Sequence, residues 1–223
     1  GITAPAYTQQ EGDTPFGITD VGYLASPAFA DIDGDGDLDL FIGNNYGNTL
    51  FFRNTGSVNA PSYTREGGDE PFGVPDIGYS VTLAFADIDG DGDLDLFIGE
   101  YYGNTVFFRN TGSLSTPAYI QQEGDTPFGI PDVGFRANPA FVDIDDDDDL
   151  DLFIGNEDGN TLFFRNTAAP GATSPAFIQQ EGDTPFGITD VGDYSSPALA
   201  DTDGDGDLDL FIGDEGGTTL FFR

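Results

Sequence analysis

The chain has 223 residues, with 41 Asp or Glu against 6 Arg and no Lys, a formal charge of −35, and no His, Cys, Met or Trp. That inventory excludes disulfide frameworks, Cys or His metal sites and Ser–His or Cys–His catalysis. It excludes the basic face that nucleic acid needs, and no apolar run approaches the ~18 residues of a bilayer span. Hydrophobic residues make up 38% of the chain and include 21 Phe, enough for a core, so the charge does not signal disorder. The first residue is Gly, not Met, and no charged-then-apolar leader opens the chain, which reads as a processed protein or a piece of a longer one.

Taken in chain order, Ala4–Gln9 reads as a short strand and Pro15-Phe16-Gly17 as a turn carrying a Phe. Strand A follows over Pro27–Ile32, then an Asp run at 31–39, strand B over Leu38–Ile42, strand C over Thr49–Arg53 and strand D over Ala60–Arg65. The unit then recurs. The Asp runs start at 31, 87, 143 and 201, spacings of 56, 56 and 58 residues, and Pro-Phe-Gly returns at 71–73, 127–129 and 185–187. The two extra residues fall in the stretch 168–174, a loop. A period near 56 signals a propeller, solenoid or array. The 32 Gly and 14 Pro leave no segment that reads as a helix. Four short antiparallel strands per unit make a propeller blade, and Ala28, Ala30, Ala84, Ala86, Ala140, Ala198 and Ala200 on the A strands suit a crowded axis.

The predicted fold is therefore all-β: one array over 1–223 of four repeats, each a four-stranded antiparallel propeller-type blade. The phase matters. The chain opens on a D-type strand and ends after a C-type strand, so the first segment either closes the last blade or completes a blade of a neighbouring chain. A window cut from a longer array is the third expectation.

The Asp runs at 31–39, 87–95, 143–151 and 201–209 hold 22 of the 41 acidic residues. Asp at positions 1, 3, 5 and 9 of a nine-residue loop supplies hard oxygen ligands, and the position-7 carbonyl adds another. Such a set suits calcium, which takes six to eight oxygens; magnesium prefers fewer carboxylates and more water. The candidate metal residues are Asp31, Asp33, Asp35, Asp37 and Asp39, then Asp87, Asp89, Asp91, Asp93 and Asp95. The third set is Asp143, Asp145, Asp147, Asp149 and Asp151, and the fourth is Asp201, Asp203, Asp205, Asp207 and Asp209. Gly36, Gly92 and Gly206 at position 6 permit a sharp turn, while the third copy has Asp148 there, which tolerates the left-handed region better than most residues. An EF-hand fails, because position 12 is Ile42, Ile98, Ile154 or Ile212 rather than Glu, and a strand follows. A solvated acidic turn without metal is the competing reading.

Asp-x-Asp-x-Asp-Gly-x-x-Asp between two strands, followed by Phe-Ile-Gly, resembles the FG-GAP repeats of integrin α-subunit propellers. It also resembles bacterial VCBS repeats, with their PAFADIDGDGDLDLFIG…GNTLFFRNTG pattern. The resemblance covers essentially the whole chain. It implies propeller blades with one calcium, four in all, in the loop between the first two strands of each blade. The implied ligands are the carboxylates at positions 1, 3, 5 and 9 and the position-7 carbonyl. An extracellular or cell-surface setting is implied as well.

The remaining recurrent residues have modest expected roles. The Phe pairs 51–52, 107–108, 163–164 and 221–222 are expected in the core rather than as sugar platforms, and the Pro-Phe-Gly Phe as a plug between blades. Asp20, Asp76, Asp132 and Asp190 are expected to cap turns or meet Arg, and Arg53, Arg109, Arg165 and Arg223 to pair with carboxylates. The turns after strand B vary, with exposed Tyr46, Tyr101 and Tyr102, which reads as loop drift ahead of a sugar-stacking role. The expected function is a non-enzymatic, calcium-stabilised, extracellular structural or adhesive repeat protein, a fibre building block or array segment that partners itself by strand exchange. The alternative is a calcium-dependent propeller that binds glycans or surface proteins.

Overall fold

The computed structural model describes residues 15–223 apart from 69, 114, 123, 125, 170, 171, 181, 183 and 184. The D-type strand expected at Ala4–Gln9 lies outside the described residues. Strands β1 (Ser26–Ala30), β2 (Asp39–Gly43), β3 (Thr49–Asn54) and β4 (Tyr63–Glu66) form one antiparallel sheet in that order. The second contains β5 (Thr82–Ala86), β6 (Asp95–Gly99), β7 (Thr105–Asn110) and β8 (Tyr119–Gln122). The third contains β9 (Asn138–Val142), β10 (Asp151–Gly155), β11 (Thr161–Asn166) and β12 (Phe177–Gln180). The fourth has three strands among the described residues, β13 (Ser196–Ala200), β14 (Asp209–Gly213) and β15 (Thr219–Phe222).

The four sheets are blades of an all-β propeller that is not closed. The first strands β1, β5, β9 and β13 neighbour one another in sequence order, which puts the A strands at the axis. There is no α-helix among the described residues. The A and D strands begin and end one to three residues from their predicted limits, because pairing register and not composition sets the ends.

The second and third blades are pressed between two neighbours and the outer two against one, and the B and C strands are apolar on both faces. In β2, β6 and β10 every residue of Asp-Leu-Phe-Ile-Gly is buried. Phe41 and Phe51 are fully buried. The next repeat covers them with two rings: Phe72 sits 4.7 Å from Phe51, edge-on, and Phe85 sits 4.7 Å from Phe41. Phe128 and Phe141 do the same for Phe107 and Phe97, and Phe186 packs 4.9 Å from Phe163.

The plug is held by a one-turn 3-10 segment in which Phe16, Phe72, Phe128 and Phe186 adopt φ of 53–54°. A left-handed conformation costs an L-residue roughly 1–2 kcal/mol, offset at Phe72, Phe128 and Phe186 by the ring stacking. Blades also approach backbone to backbone. A Cβ on Gly43, Gly99 or Gly155 would lie 2.3, 2.1 or 2.1 Å from the carbonyl oxygens of Val81, Ala137 or Ser195. Only glycine allows that contact.

Candidate metal centres

The Asp runs connect β1 to β2, β5 to β6, β9 to β10 and β13 to β14, at the same end of every blade. The position-1 carboxylate winds the loop around itself. Asp31 accepts the N–H groups of Gly34 and Gly36, at 2.9 and 3.0 Å. Asp87 accepts those of Asp91 and Gly92, Asp143 those of Asp147 and Asp148, and Asp201 those of Gly204 and Gly206. The position-5 carboxylate accepts the N–H of position 7: Asp35 from Asp37, Asp91 from Asp93, Asp147 from Asp149, and Asp205 from Asp207. This winding brings the position-1, -3 and -5 carboxylates within 4.8 Å of one another in all four loops.

Position 3 carries a second contact. Asp33, Asp89, Asp145 and Asp203 are ion-paired to Arg53, Arg109, Arg165 and Arg223 at the ends of the C strands. The guanidinium takes Oδ2, while Oδ1 of Asp33 and of Asp89 is buried and meets no donor. Position 9 opens strand B. Asp39, Asp95 and Asp151 are each 2% exposed. Oδ1 accepts the N–H of Asn54, Asn110 or Asn166 at 2.6–2.7 Å, and Oδ2 has no partner. Burial pushes the Asp95 carboxyl up to about 7, and the charges of Asp91 and Asp87 add to the effect. Burial likewise lifts Asp39 and Asp151 to about 6.

A buried carboxylate oxygen without a donor is costly. The position-9 carboxylate is not part of the position-1, -3 and -5 cluster, but a bare oxygen within that triad of hard carboxylates, and a second one buried at the start of strand B, fit an oxygen-seeking divalent cation such as calcium.

The FG-GAP-like repeat model matches residues 31–98 and 87–154, which together span more than half of the chain. The chain belongs to the FG-GAP-like repeat family. Human integrin alpha-7 is 28% identical over 159 residues, covering 66% of this chain and 13% of the integrin. A lectin of Agrocybe aegerita that recognises non-reducing terminal N-acetylglucosamine superposes with a TM-score of 0.52 at 20% identity. That superposition covers 90% of this chain and 52% of the lectin, a likeness of fold. The chain thus spans about an eighth of the integrin it matches and about half of the lectin.

The four FG-GAP-like loops are not equivalent. Position 4 is left-handed as well as position 6, a requirement the sequence reading missed although Gly34, Gly90 and Gly204 signal it. In the third loop Asp146 and Asp148 take these places with φ of 56° and 68°, as expected of Asp148. The fourth loop has Thr202 where the others have Ile32, Ile88 and Ile144. The Thr202 hydroxyl donates to Oδ2 of Asp209, the oxygen left bare in the other three repeats. Asp201, Asp203 and Asp205 are also exposed.

The opposite end of the blades is built from the B–C turns and the loops before strand A. Asp20, Asp76, Asp132 and Asp190 cap these loops by accepting the N–H of Gly22, Gly78, Gly134 and Gly192 at 2.7–2.8 Å. The first three B–C turns are clamped from both sides, the fourth only from its own repeat, by the Glu215 N–H to Asp193 O. The Tyr101 N–H donates to Tyr79 O of its own repeat, and Tyr101 O accepts the Arg136 N–H of the next. The same pattern joins Asn45 to Tyr23 and Ser80, and Glu157 to Phe135 and Tyr194.

Proposed function

We propose that this chain is a calcium-stabilised, non-catalytic structural or adhesive repeat protein of the extracellular space or cell surface. Each repeat binds one calcium ion through its position-1, -3, -5 and -9 carboxylates and position-7 carbonyl. At a hundredfold excess over its dissociation constant, each ion adds about 2.7 kcal/mol to the folded state.

The observation that carries the building-block reading is an unmated joint. Phe211 and Phe221 pack at 4.9 Å like the pairs in blades one to three, yet Phe221 is 51% exposed because no following Pro-Phe-Gly plug covers it. Gly213 likewise has nothing nearer than Ser196 Cβ at 3.9 Å. At the other end of the array Phe16 and Phe29, equivalents of the covering rings Phe72 and Phe85, are each 54% exposed. The two ends carry complementary halves of the joint made three times inside the molecule. A further repeat completes it, from a second copy of this chain or from the continuation of a longer array.

The test is molar mass by light scattering in millimolar calcium over a range of concentrations. A mass that rises above 23.6 kDa, and is restored to monomer by Phe221→Ser, is expected. A constant monomer mass rejects self-assembly. A melting temperature unmoved by chelator rejects the calcium staple.

A second reading, recognition of a glycan or a protein by the propeller, is favoured by where the repeats differ. Two residues before strand A the chain has Leu24, Ser80, Arg136 or Tyr194, and the B–C turns begin Asn44-Asn45, Glu100-Tyr101, Asn156-Glu157 and Asp214-Glu215. The strands between them are almost unchanged.

A further inference from the structure

We infer that the axial cavity at this variable end is a binding site for a neutral saccharide, an inference that rests on the glycan reading above and gives it a location. The cavity has a volume of about 370 Å³ and is lined by Leu24, Arg136, Tyr194, Ser196, Asp214 and Glu215. A smaller one of about 120 Å³ shares Arg136, Tyr194 and Ser196 and adds Ser80, Thr82 and Asn138. The larger volume lies within the range of about 300–1,000 Å³ typical of small-ligand pockets. The loops before all four blades contribute to the two cavities, one residue each: Leu24 to the larger, Ser80 to the smaller, and Arg136 and Tyr194 to both. All four have positive φ, of 52, 52, 61 and 66°, although none is glycine.

Arg136 is the organising group. Its guanidinium lies over the Tyr194 ring at 4.4 Å and over the Tyr101 ring at 5.3 Å. Stacking against two rings holds the plane of its donors. Glu157 stands beside it as its ion-pair partner, with Nε and Oε2 3.3 Å apart. The cavity wall thus sets a fixed cation and the Tyr194 ring beside the Ser196 hydroxyl and the carboxylates of Asp214 and Glu215, donors and acceptors together.

The charges narrow the class. An anion would meet Asp214 and Glu215 in a chain of charge −35. A cation would meet Arg136. A hydrocarbon would strip water from the Ser196 hydroxyl and the carboxylates of Asp214 and Glu215 and give them no partner in return. A saccharide brings hydroxyls that both donate and accept and a C–H face that stacks on tyrosine. Exposed aromatics crowd the same end: Tyr23, Tyr79, Tyr102 and Phe135 are all more than half exposed. The opposite end presents the Asp loops.

The test uses the whole 223-residue chain in millimolar calcium, probed with immobilised neutral oligosaccharides and with uronic-acid-bearing ones. The variants are Arg136→Ser and Tyr194→Ser, chosen because Ser80 already holds the equivalent left-handed position in the second repeat, so the backbone accepts serine there. The expected result is binding of a neutral oligosaccharide that weakens about tenfold or more in both variants, as for loss of a central contact, while both keep the circular dichroism spectrum of the wild type. Binding that both variants retain overturns this site while leaving the glycan reading intact. Binding restricted to uronic-acid-bearing chains overturns the ligand class. Absence of saccharide binding overturns the site and the glycan reading together.

Discussion

Asp95→Asn separates the two roles of the metal loops, because it should stabilise the protein in chelator and destabilise it in calcium. Asp95 is 2% exposed and one of its oxygens meets no donor. In the folded chain without metal its carboxyl is pushed up to about 7 from 3.8. A carboxyl raised in this way stabilises the fold fully only below about pH 4, while the unfolded chain also keeps its proton, and that stability is lost as the pH rises through about 7. The gap of about three pH units sets an upper bound of roughly 4 kcal/mol on the cost of the ionised group at pH 8. Asp39 and Asp151, raised to about 6, act in the same direction.

Asparagine keeps an acceptor for the Asn110 N–H and replaces the buried, bare carboxylate oxygen with a neutral amide that feels no repulsion from Asp87 and Asp91. At about 2–4 °C per kcal/mol for a chain of this length, removing a few kcal/mol of strain raises the melting temperature by roughly 5–10 °C. In calcium the ranking reverses, because the variant forfeits one ion's contribution, about 2.7 kcal/mol at a hundredfold excess. Scanning calorimetry from pH 5 to pH 8, with calcium and with chelator, reads both effects. The reasoning is refuted if the chelated wild type is as stable at pH 8 as at pH 5, or if the variant melts below wild type in chelator at pH 8.

Further outcomes follow from differences between repeats. Calorimetric titration should resolve three tighter calcium sites and one weaker, and Thr202→Ile, by removing the hydroxyl from Oδ2 of Asp209 and leaving only the N–H of residue 202 on it, should bring the fourth towards the others; an unchanged isotherm would contradict this. Gly99→Ala should destabilise by about 2–3 kcal/mol, since its Cβ would lie 2.1 Å from Ala137 O. The same change at Gly213 should leave the monomer's denaturation midpoint unmoved and weaken any assembly through the fourth blade. Equal effects at the two glycines would show that the joints between blades are not built on this contact.

The repeat period, the B and C strands and the Asp spacing were legible because they rest on local chemistry: alternating carboxylates, Leu-Phe-Ile-Gly, and Phe pairs at fixed offsets. The Phe plug and the Arg pairs were also readable, since each recurs with its partner in every unit. The second left-handed position of the metal loop was missed because one position already explained the turn. The hydroxyl of Thr202 on Asp209 was missed because a single Thr among Ile residues looks like drift. The axial end was least legible. Leu24, Ser80, Arg136 and Tyr194 share a conformation that no residue type among them announces, and their meeting depends on the ring arrangement of blades that sequence spacing does not show.

The doubly clamped B–C turn has a consequence for the gene as well as for the fold. Among the described residues the contacts that join neighbouring blades lie between a unit and its successor, and the Pro-Phe-Gly plugs, glycine approaches and turn clamps recur at each of the three internal junctions, with Leu199 in place of the second covering ring at the third. An in-frame duplication or deletion of one 56-residue unit therefore creates no junction that the molecule does not already make. Copy number can change by recombination between near-identical repeats without a compensating core mutation, so blade count in relatives of this chain should vary more readily than blade sequence.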